Sequence, residues 1–594
     1  MRLVPPNLVF FSLCSRVPRQ PACWAHNTNI ENGVVKAHLA TSKSARNFLP
    51  PPNAENQEMA PTILRNARIF TSTEGSSDPI QGCLIFENGL IEYVGPEAPV
   101  TLGVSGATEI DAHNSIVTPG FIDGHVHILH YGLSLSKLDI MSCKSLQQIR
   151  HRIRTFAESH PSEPRILCKG WIQATTGGQA LASTLDDLDP RPIYIEALDL
   201  HSMWCSSSAL DELGVASLKD PPGGTIHRDD KGKPSGLLDE GALFSIVWPY
   251  LTKALTGEQK QTALHCAITA YTHAGYTGVI DMAMDKDVWD ALEIYRSHNS
   301  VSLHIAAHWL IPYSEDDQEI QNSLNDAIAM HQKFHPSDSP SFCVVGVKLI
   351  GDGVVDSCTA ALSHPYGQKS DPVEPIWPAS RMAKVVHQAS AAGLQCAIHA
   401  IGDRTITQAI NTLSAVDKPS RRHRIEHLEL TSEADAKRLG ELGIIASVQP
   451  VHSDPVLFKA WPSLLGTHRC QRAFPYRDFL ESGAPLALGT DAPTAAHLPL
   501  PNLFNATTRR SAIDLESSAR TNPQFAIPLE AALKGATIGA AYSRHAEDWT
   551  GSLTKGASAD FVVLEMDWSP DRLLEAKVRQ TWFQGQKVFD ETNP

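Results

Sequence analysis

Between residues 116 and 491, eight short apolar segments alternate with amphipathic stretches, and this alternation limits the folds open to the chain. The segments are IVTPGFIDGHVH (116–127), YTGVIDMA (276–283), SLHIAAHWL (302–310), VVGVKLIGDG (344–353), QCAIHAIGD (395–403), HRIEHLEL (423–430), IIASVQP (444–450) and PLALGTD (485–491). Each is short, apolar and bounded by turn residues, as a buried strand requires. Between most of them lies a helical pattern, as in DRTITQAINTLSAV, where Ile406, Ile410 and Leu413 share one face. Strand, crossover helix, strand gives a parallel sheet, and eight such units predict a closed (β/α)8 TIM-like barrel over an open doubly wound sheet. The spacing breaks once: residues 130 to 262 form a long insertion after the first strand, with β-like pieces RILCKGWI and RPIYIEALDL and the turn PPGGTIHRDDKGKPSG.

The flanks have a different character. ILRNARIFTS (63–72) and CLIFENGLIEYVG (83–95) read as strands, and so do DFVVLEMD (560–567) and VRQTWFQGQKVF (578–589). Short β segments cannot bury a face alone, so the two ends are expected to meet in a small composite β-sandwich domain. The expected division is 59–115 and 546–594 for that domain and 116–545 for the barrel. Residues 1–58 form a tail in which Arg2, Arg16, Arg19, Lys36, Lys43 and Arg46 face one acid, Glu31, over the first 46 positions. A basic, acid-poor stretch fits mitochondrial targeting, whereas a disordered tail or an early start before Met59 is the plainer reading. The expected location is cytoplasmic.

Charge and cysteine content remove other classes. A net charge of −15 with no Lys/Arg block argues against nucleic acid and anionic membrane surfaces. No apolar run approaches the ~18 residues of a membrane span. Eleven scattered cysteines with no CxxC pair fit neither a disulfide scaffold nor a Cys-rich zinc site.

The 26 histidines carry the chemistry. His125 and His127 end the first strand two residues apart, so both imidazoles lie on one face, where they can share a cation. Alone, an HxH pair is as well explained by core histidines. His399 ends the fifth strand, His427 the sixth and Asp491 the eighth. Catalytic groups of a barrel sit at these strand ends, so five candidates converging there outweigh the bland reading. Lys348, on the fourth strand, reads from its chemistry as an ion-pair partner of Asp352 or Asp356. A functional lysine beside two cations would have to lose its charge, as carboxylation by carbon dioxide achieves.

The segments PGFIDGHVH, HSMWCSSSALDELGV, PPGGTIHRDDKGKPSG, VKLIGDG, HAIGDR, HRIEHLE, SVQPVHSD, LALGTDAP and GSLTKGASADFVVLE run in one order from residue 61 to the C-terminus. In that order they resemble the amidohydrolase superfamily, and more narrowly the amidohydrolase 3 branch of YtcJ-like and N-substituted formamide deformylase-like hydrolases. The resemblance implies His125 and His127 on one divalent cation, His399 and His427 on a second, and Lys348 as a carboxylated bridge. It makes Asp491 both a ligand and the acid/base. Zinc suits these donors, at one or two ions per chain. Trp171, His201, Trp204, Gln449 and His452 fall in segments that resemble substrate-facing loops. Asp403, Arg404, Arg424 and Glu426 read as supporting ion pairs beneath the ligand strands. Cys205-Ser206 and Gln173 depart from the family pattern and are expected to alter pocket polarity. The implied reaction is hydrolysis of a non-peptide C–N bond, an amide or N-acyl or N-formyl group of a small molecule, by metal-activated hydroxide. Ring deamination, cyclic amide or ester hydrolysis, and a non-catalytic binding barrel are the rivals. A small-molecule substrate is the expected partner, and a homodimer is left open.

Overall fold

In the computed structural model, residues 61–96, 106–198, 200–221, 224–367, 371–416 and 419–592 are described. The expected tail, 1–58, lies outside them.

All eight expected segments form strands of one parallel sheet: β1 (Phe121–Val126), β2 (Tyr276–Met284), β3 (His304–Leu310), β4 (Phe342–Ile350), β5 (Gln395–Ala400), β6 (Arg424–His427), β7 (Ile445–Val448) and β8 (Leu486–Leu488). Each pairs with the next in chain order. Hydrogen bonds just past the strand ends join β8 back to β1: Asp491 N–H donates to His125 O at 2.7 Å, and His127 N–H donates to Ala492 O at 3.0 Å. The approach leaves no room for a side chain at Gly489, where a Cβ would lie 2.4 Å from His125 N. Ile122, Ile280, Met282, Ala306, Cys343, Val345 and Ala397 fill the barrel interior together with Ala540 and Ala541. Helices such as Asp403–Ser414 cover the outside, burying Ile406, Ile410 and Leu413 as their spacing predicts.

The two β-rich flanks, 62–119 and 561–590, do meet, but in one continuous eight-stranded sheet. Its order runs 586–590, 577–583, 561–565, 116–119, 62–69, 80–87, 90–95, with 108–111 paired to 62–69. The segment expected to be a single strand, 116–127, is split between two sheets: Ile116–Pro119 pairs with 561–565, and the chain enters the barrel only after Gly120. A Cβ at Gly120 would stand 2.3 Å from the Thr277 side chain, so the crossing point needs glycine. The insertion builds its own six-stranded sheet from 138–139, 166–171, 193–197, 202–205, 224–228 and 234–240. An apolar core packs on each side of it.

Candidate metal centre

Two bulges aim the ligands. Opposite Val279 and Asp281 of β2, β1 carries an extra residue between Asp123 and Val126. Ile122 faces the barrel interior, whereas Val126 packs in the outer cluster. The inserted residue reverses the alternation, and His125 and His127 turn inward. On β4 the extra residue falls between Val344 and Gly346. Val345 faces inward, Val347 and Leu349 face outward, and so Lys348 points into the barrel.

Inside, His125 Nε2 lies 3.4 Å and His127 Nε2 3.2 Å from Asp491 Oδ1. One ligand atom from each of the three residues fits within a common 4.8 Å. His125 is fixed from behind: its Nδ1–H donates to Glu426 Oε2 at 2.7 Å, leaving Nε2 as the inward nitrogen. Glu426 is gripped in turn by Arg424, whose Nε donates to Oε1 at 2.6 Å. The same guanidinium bonds Gly124 O at 2.7 Å and Ser447 Oγ at 2.5 Å, which ties β6 to β1 and β7. Burial pushes the Glu426 carboxyl up, but Arg424 and then His125 hold it well below the usual range. Arg424 and Glu426 are therefore the supporting pair that the sequence suggested.

Asp123 braces the strand ends from beneath. It accepts from His125 N at 3.1 Å, Thr490 N at 2.9 Å, Thr490 Oγ1 at 2.5 Å and Tyr271 OH at 2.9 Å. Asp491 and His427 both adopt left-handed backbone, with φ of 58° and 73°. Such strain in non-glycine residues persists where surrounding structure enforces it, commonly at functional sites.

The His399 and His427 rings are 4.3 Å apart, and His427 is 5.0 Å from His125. Burial, then the charge of Lys348, holds His399 well below its ordinary pKa; burial, then His399, does the same for His427. Both are thus biased toward the neutral imidazole, the form that binds metal. Burial likewise lowers the Lys348 ammonium to about 8, against the pull of Glu426 and Asp491. His452 completes the far wall, its Nδ1 3.3 Å from Glu429 Oε1 and its Nε2 3.8 Å from Asp491 Oδ2. His427, Glu429 and His452 form a second group able to offer three ligand atoms to one ion. The sequence reading did not single out Glu429.

Donor chemistry agrees with a cation here. Among the described residues, Asp491 Oδ1 and His427 Nδ1 are buried with no group in hydrogen-bonding geometry. Leaving such atoms unsatisfied costs about 1–3 kcal/mol each, which coordination removes. Imidazole and carboxylate are ligands for zinc and its neighbours.

The other sequence candidates divide. Gln449 reaches the site, with Nε2 3.3 Å from His125 Nδ1. His201 comes from the insertion, its ring 6.2 Å from that of His399. Trp171 and Trp204 pack with ring centroids 5.3 Å apart and planes tilted by 49° within the insertion core, where Trp204 Nε1 donates to Leu181 O at 3.1 Å. Both side chains are buried in that cluster, where they give the insertion sheet large apolar groups to pack on. Cys205 is also core, and Ser206 caps helix Ser207–Leu213. Their departure from the family pattern therefore concerns packing. Asp403 accepts from Ser363 N at 2.9 Å, and Arg404 pairs with Glu374 at 2.6 Å, both on the outer rim.

A parallel barrel with His, His and Asp at its strand ends defines a class of metal-site barrels. Residues 108–589 match the model of the amidohydrolase family, designated amidohydrolase 3, and the chain belongs to that family. Among its relatives is the protein LONG AFTER FAR-RED 3 of Arabidopsis thaliana, 29% identical over 89% of this chain and 92% of that one. N-substituted formamide deformylase of Arthrobacter pascens is 23% identical over 89% of this chain and 99% of its own length. Among solved structures, an uncharacterized metal-dependent hydrolase from Pyrococcus horikoshii superposes with a TM-score of 0.68 at 22% identity, covering 85% of this chain and 98% of that one. This last likeness is one of fold.

Proposed function

We propose that this chain hydrolyses a non-peptide C–N bond, an amide or N-acyl or N-formyl group, of a small molecule. The observation that carries the reading is the convergence of His125 Nε2, His127 Nε2 and Asp491 Oδ1 at the C-terminal mouth of the barrel. These three residues would hold the primary divalent cation, for which zinc is the best match; His399, His427 and a carboxylated Lys348 would hold a second. A cation bound there would supply Lewis acidity, polarising a carbonyl and lowering the pKa of water toward neutrality.

The protein's own groups do the rest. Asp491 is held ionised: burial opposes this, but His125 and then His127 overcome it. It can accept the proton of the attacking water and pass it to the leaving nitrogen, which then departs as a neutral amine. Water adds to the acyl carbon, the C–N bond breaks, and the products are a carboxylic acid and an amine. Glu426 fixes the orientation and tautomer of His125. The N-substituted formamide deformylase relative supports the choice of amide over ester.

The test is elemental analysis of purified protein together with turnover of p-nitroformanilide and p-nitroacetanilide. The expected result is about one to two equivalents of transition metal and release of p-nitroaniline that a chelator abolishes. Folded protein that cleaves either anilide while holding no transition metal would overturn the reading.

A further inference from the structure

Glu240 lies at the end of strand Pro234–Glu240 in the insertion, only 4% exposed and with a left-handed φ of 51°. Its two carboxylate oxygens serve two different parts of the molecule. Oε2 accepts the Nδ1–H of His201 at 2.7 Å, while the Glu240 backbone N–H donates to His201 O at 2.8 Å. Oε1 accepts from Ser357 Oγ at 3.0 Å and from Thr359 Oγ1, both in the loop that follows β4. That loop closes on itself beside the ligands: Val354 N–H donates to Thr359 Oγ1 at 3.0 Å and Gly353 N–H to Thr359 O at 3.3 Å. His399 Nε2 lies 3.4 Å from Gly353 O. A Cβ at Gly353 would stand 2.7 Å from Glu240 Oε1, so the carboxylate is packed against this backbone.

We infer that Glu240 is a positioning residue that clasps the insertion to the loop after β4 and thereby fixes the His201 imidazole beside His399 at the mouth of the metal centre. An isolated buried carboxylate would be a liability, and this one is offset by three side-chain donors drawn from two elements. A charge-assisted bond to Nδ1 locks both the rotamer and the tautomer of the ring, as carboxylates do for imidazoles that must face a reacting group. His201 is then the group of the insertion best placed to meet an acyl or leaving group at the His399 side. Substrate selection would pass through the Glu240–His201 pair, since that pair joins the insertion to the barrel.

The substrate role rests on the hydrolase reading above; the clasp does not. Three variants test them: Glu240→Ala, the isosteric Glu240→Gln, and His201→Asn, with the double variants. Metal content should stay at the wild-type value in all. Hydrogen exchange of backbone amides in 353–360 should rise roughly tenfold in Glu240→Ala, about what losing a charge-assisted hydrogen bond gives. On p-nitroformanilide or p-nitroacetanilide, Glu240→Gln and His201→Asn should each lower kcat/KM, and the double variant should be no worse than His201→Asn alone. Additive losses would show that Glu240 does not act through His201 and would overturn the positioning role. If wild-type protein cleaves neither anilide, the hydrolase reading fails on its own. Exchange then decides the clasp, and wild-type protection of 353–360 in Glu240→Ala would refute it. Should Glu240→Ala fail to fold, Glu240→Gln carries the same exchange measurement, because it loses the charge without losing the shape.

Discussion

Asp491 answers two demands with one carboxylate. Oδ1 faces the two Nε2 atoms of the HxH pair, while Oδ2 looks toward His452. If Asp491 is the proton carrier, Asp491→Asn should keep the fold and bind metal more weakly, and kcat should fall by at least ~10²-fold. Near-normal kcat with only a raised KM on an anilide substrate would remove it from the proton path. Lys348 makes a separate prediction. Carboxylation needs a neutral amine, and burial has already moved this ammonium down to about 8. Lys348→Ala should lose most activity and part of the metal, with partial recovery on adding a short carboxylic acid. Full activity and full metal content in that variant would leave a mononuclear site as the better account. Residue types at strand ends were readable because metal chemistry admits few donors. Trp204 is the converse case: a tryptophan in a loop-like segment looks the same in sequence whether it faces a substrate or a core. Glu240 gave no signal beyond its place after the insertion turn, since nothing in a sequence shows which imidazole a distant carboxylate will reach.

At the scale of single elements, strand identity was legible and strand phase was not. Each barrel segment announced itself by apolar character and turn boundaries. The bulges on β1 and β4 depend on the register of the neighbouring strand, and that register is a tertiary fact. HxH survives this ignorance because its two members stay in phase with each other. The end of β6 poses the remaining question of the site. His427 can share an ion with His399 and Lys348, as the family resemblance implies, or with Glu429 and His452, as ligand-atom spacing allows. Metal analysis of His399→Asn and His452→Asn separates the two. A second ion on the His399 side predicts loss of about one equivalent in His399→Asn alone; loss confined to His452→Asn would place it against Glu429.

Over the whole molecule, His304 and Asp560 fasten the sheet built from the two flanks to the barrel. Both are 1% exposed, and His304 Nε2 lies 2.8 Å from Asp560 Oδ2. Asp560 also accepts from Thr550 Oγ1 at 3.0 Å and Gln584 N at 2.8 Å, while its own carbonyl takes the Gly120 N–H at the crossing between the two sheets. That the ends would pair was legible, because lone β segments need partners. That they would do so as one sheet, anchored by a histidine at the start of β3, depended on contacts 256 residues apart. Burial raises the Asp560 carboxyl, but His304 and the hydrogen bonds outweigh it and hold the group below its ordinary 3.8. A depressed acid stabilises the fold above its unfolded pKa, and that contribution drains away as pH falls through the lower folded value. Asp560→Asn should therefore cost about 3 kcal/mol near neutrality, the scale of removing one member of a buried pair. Urea denaturation as a function of pH should show the gap between variant and wild type constant from neutrality down to about 5 and closing below 3.8. A gap unchanged at pH 3 would mean that the bond lengths here describe packing, and that the His304–Asp560 charge contributes nothing to holding the two sheets together.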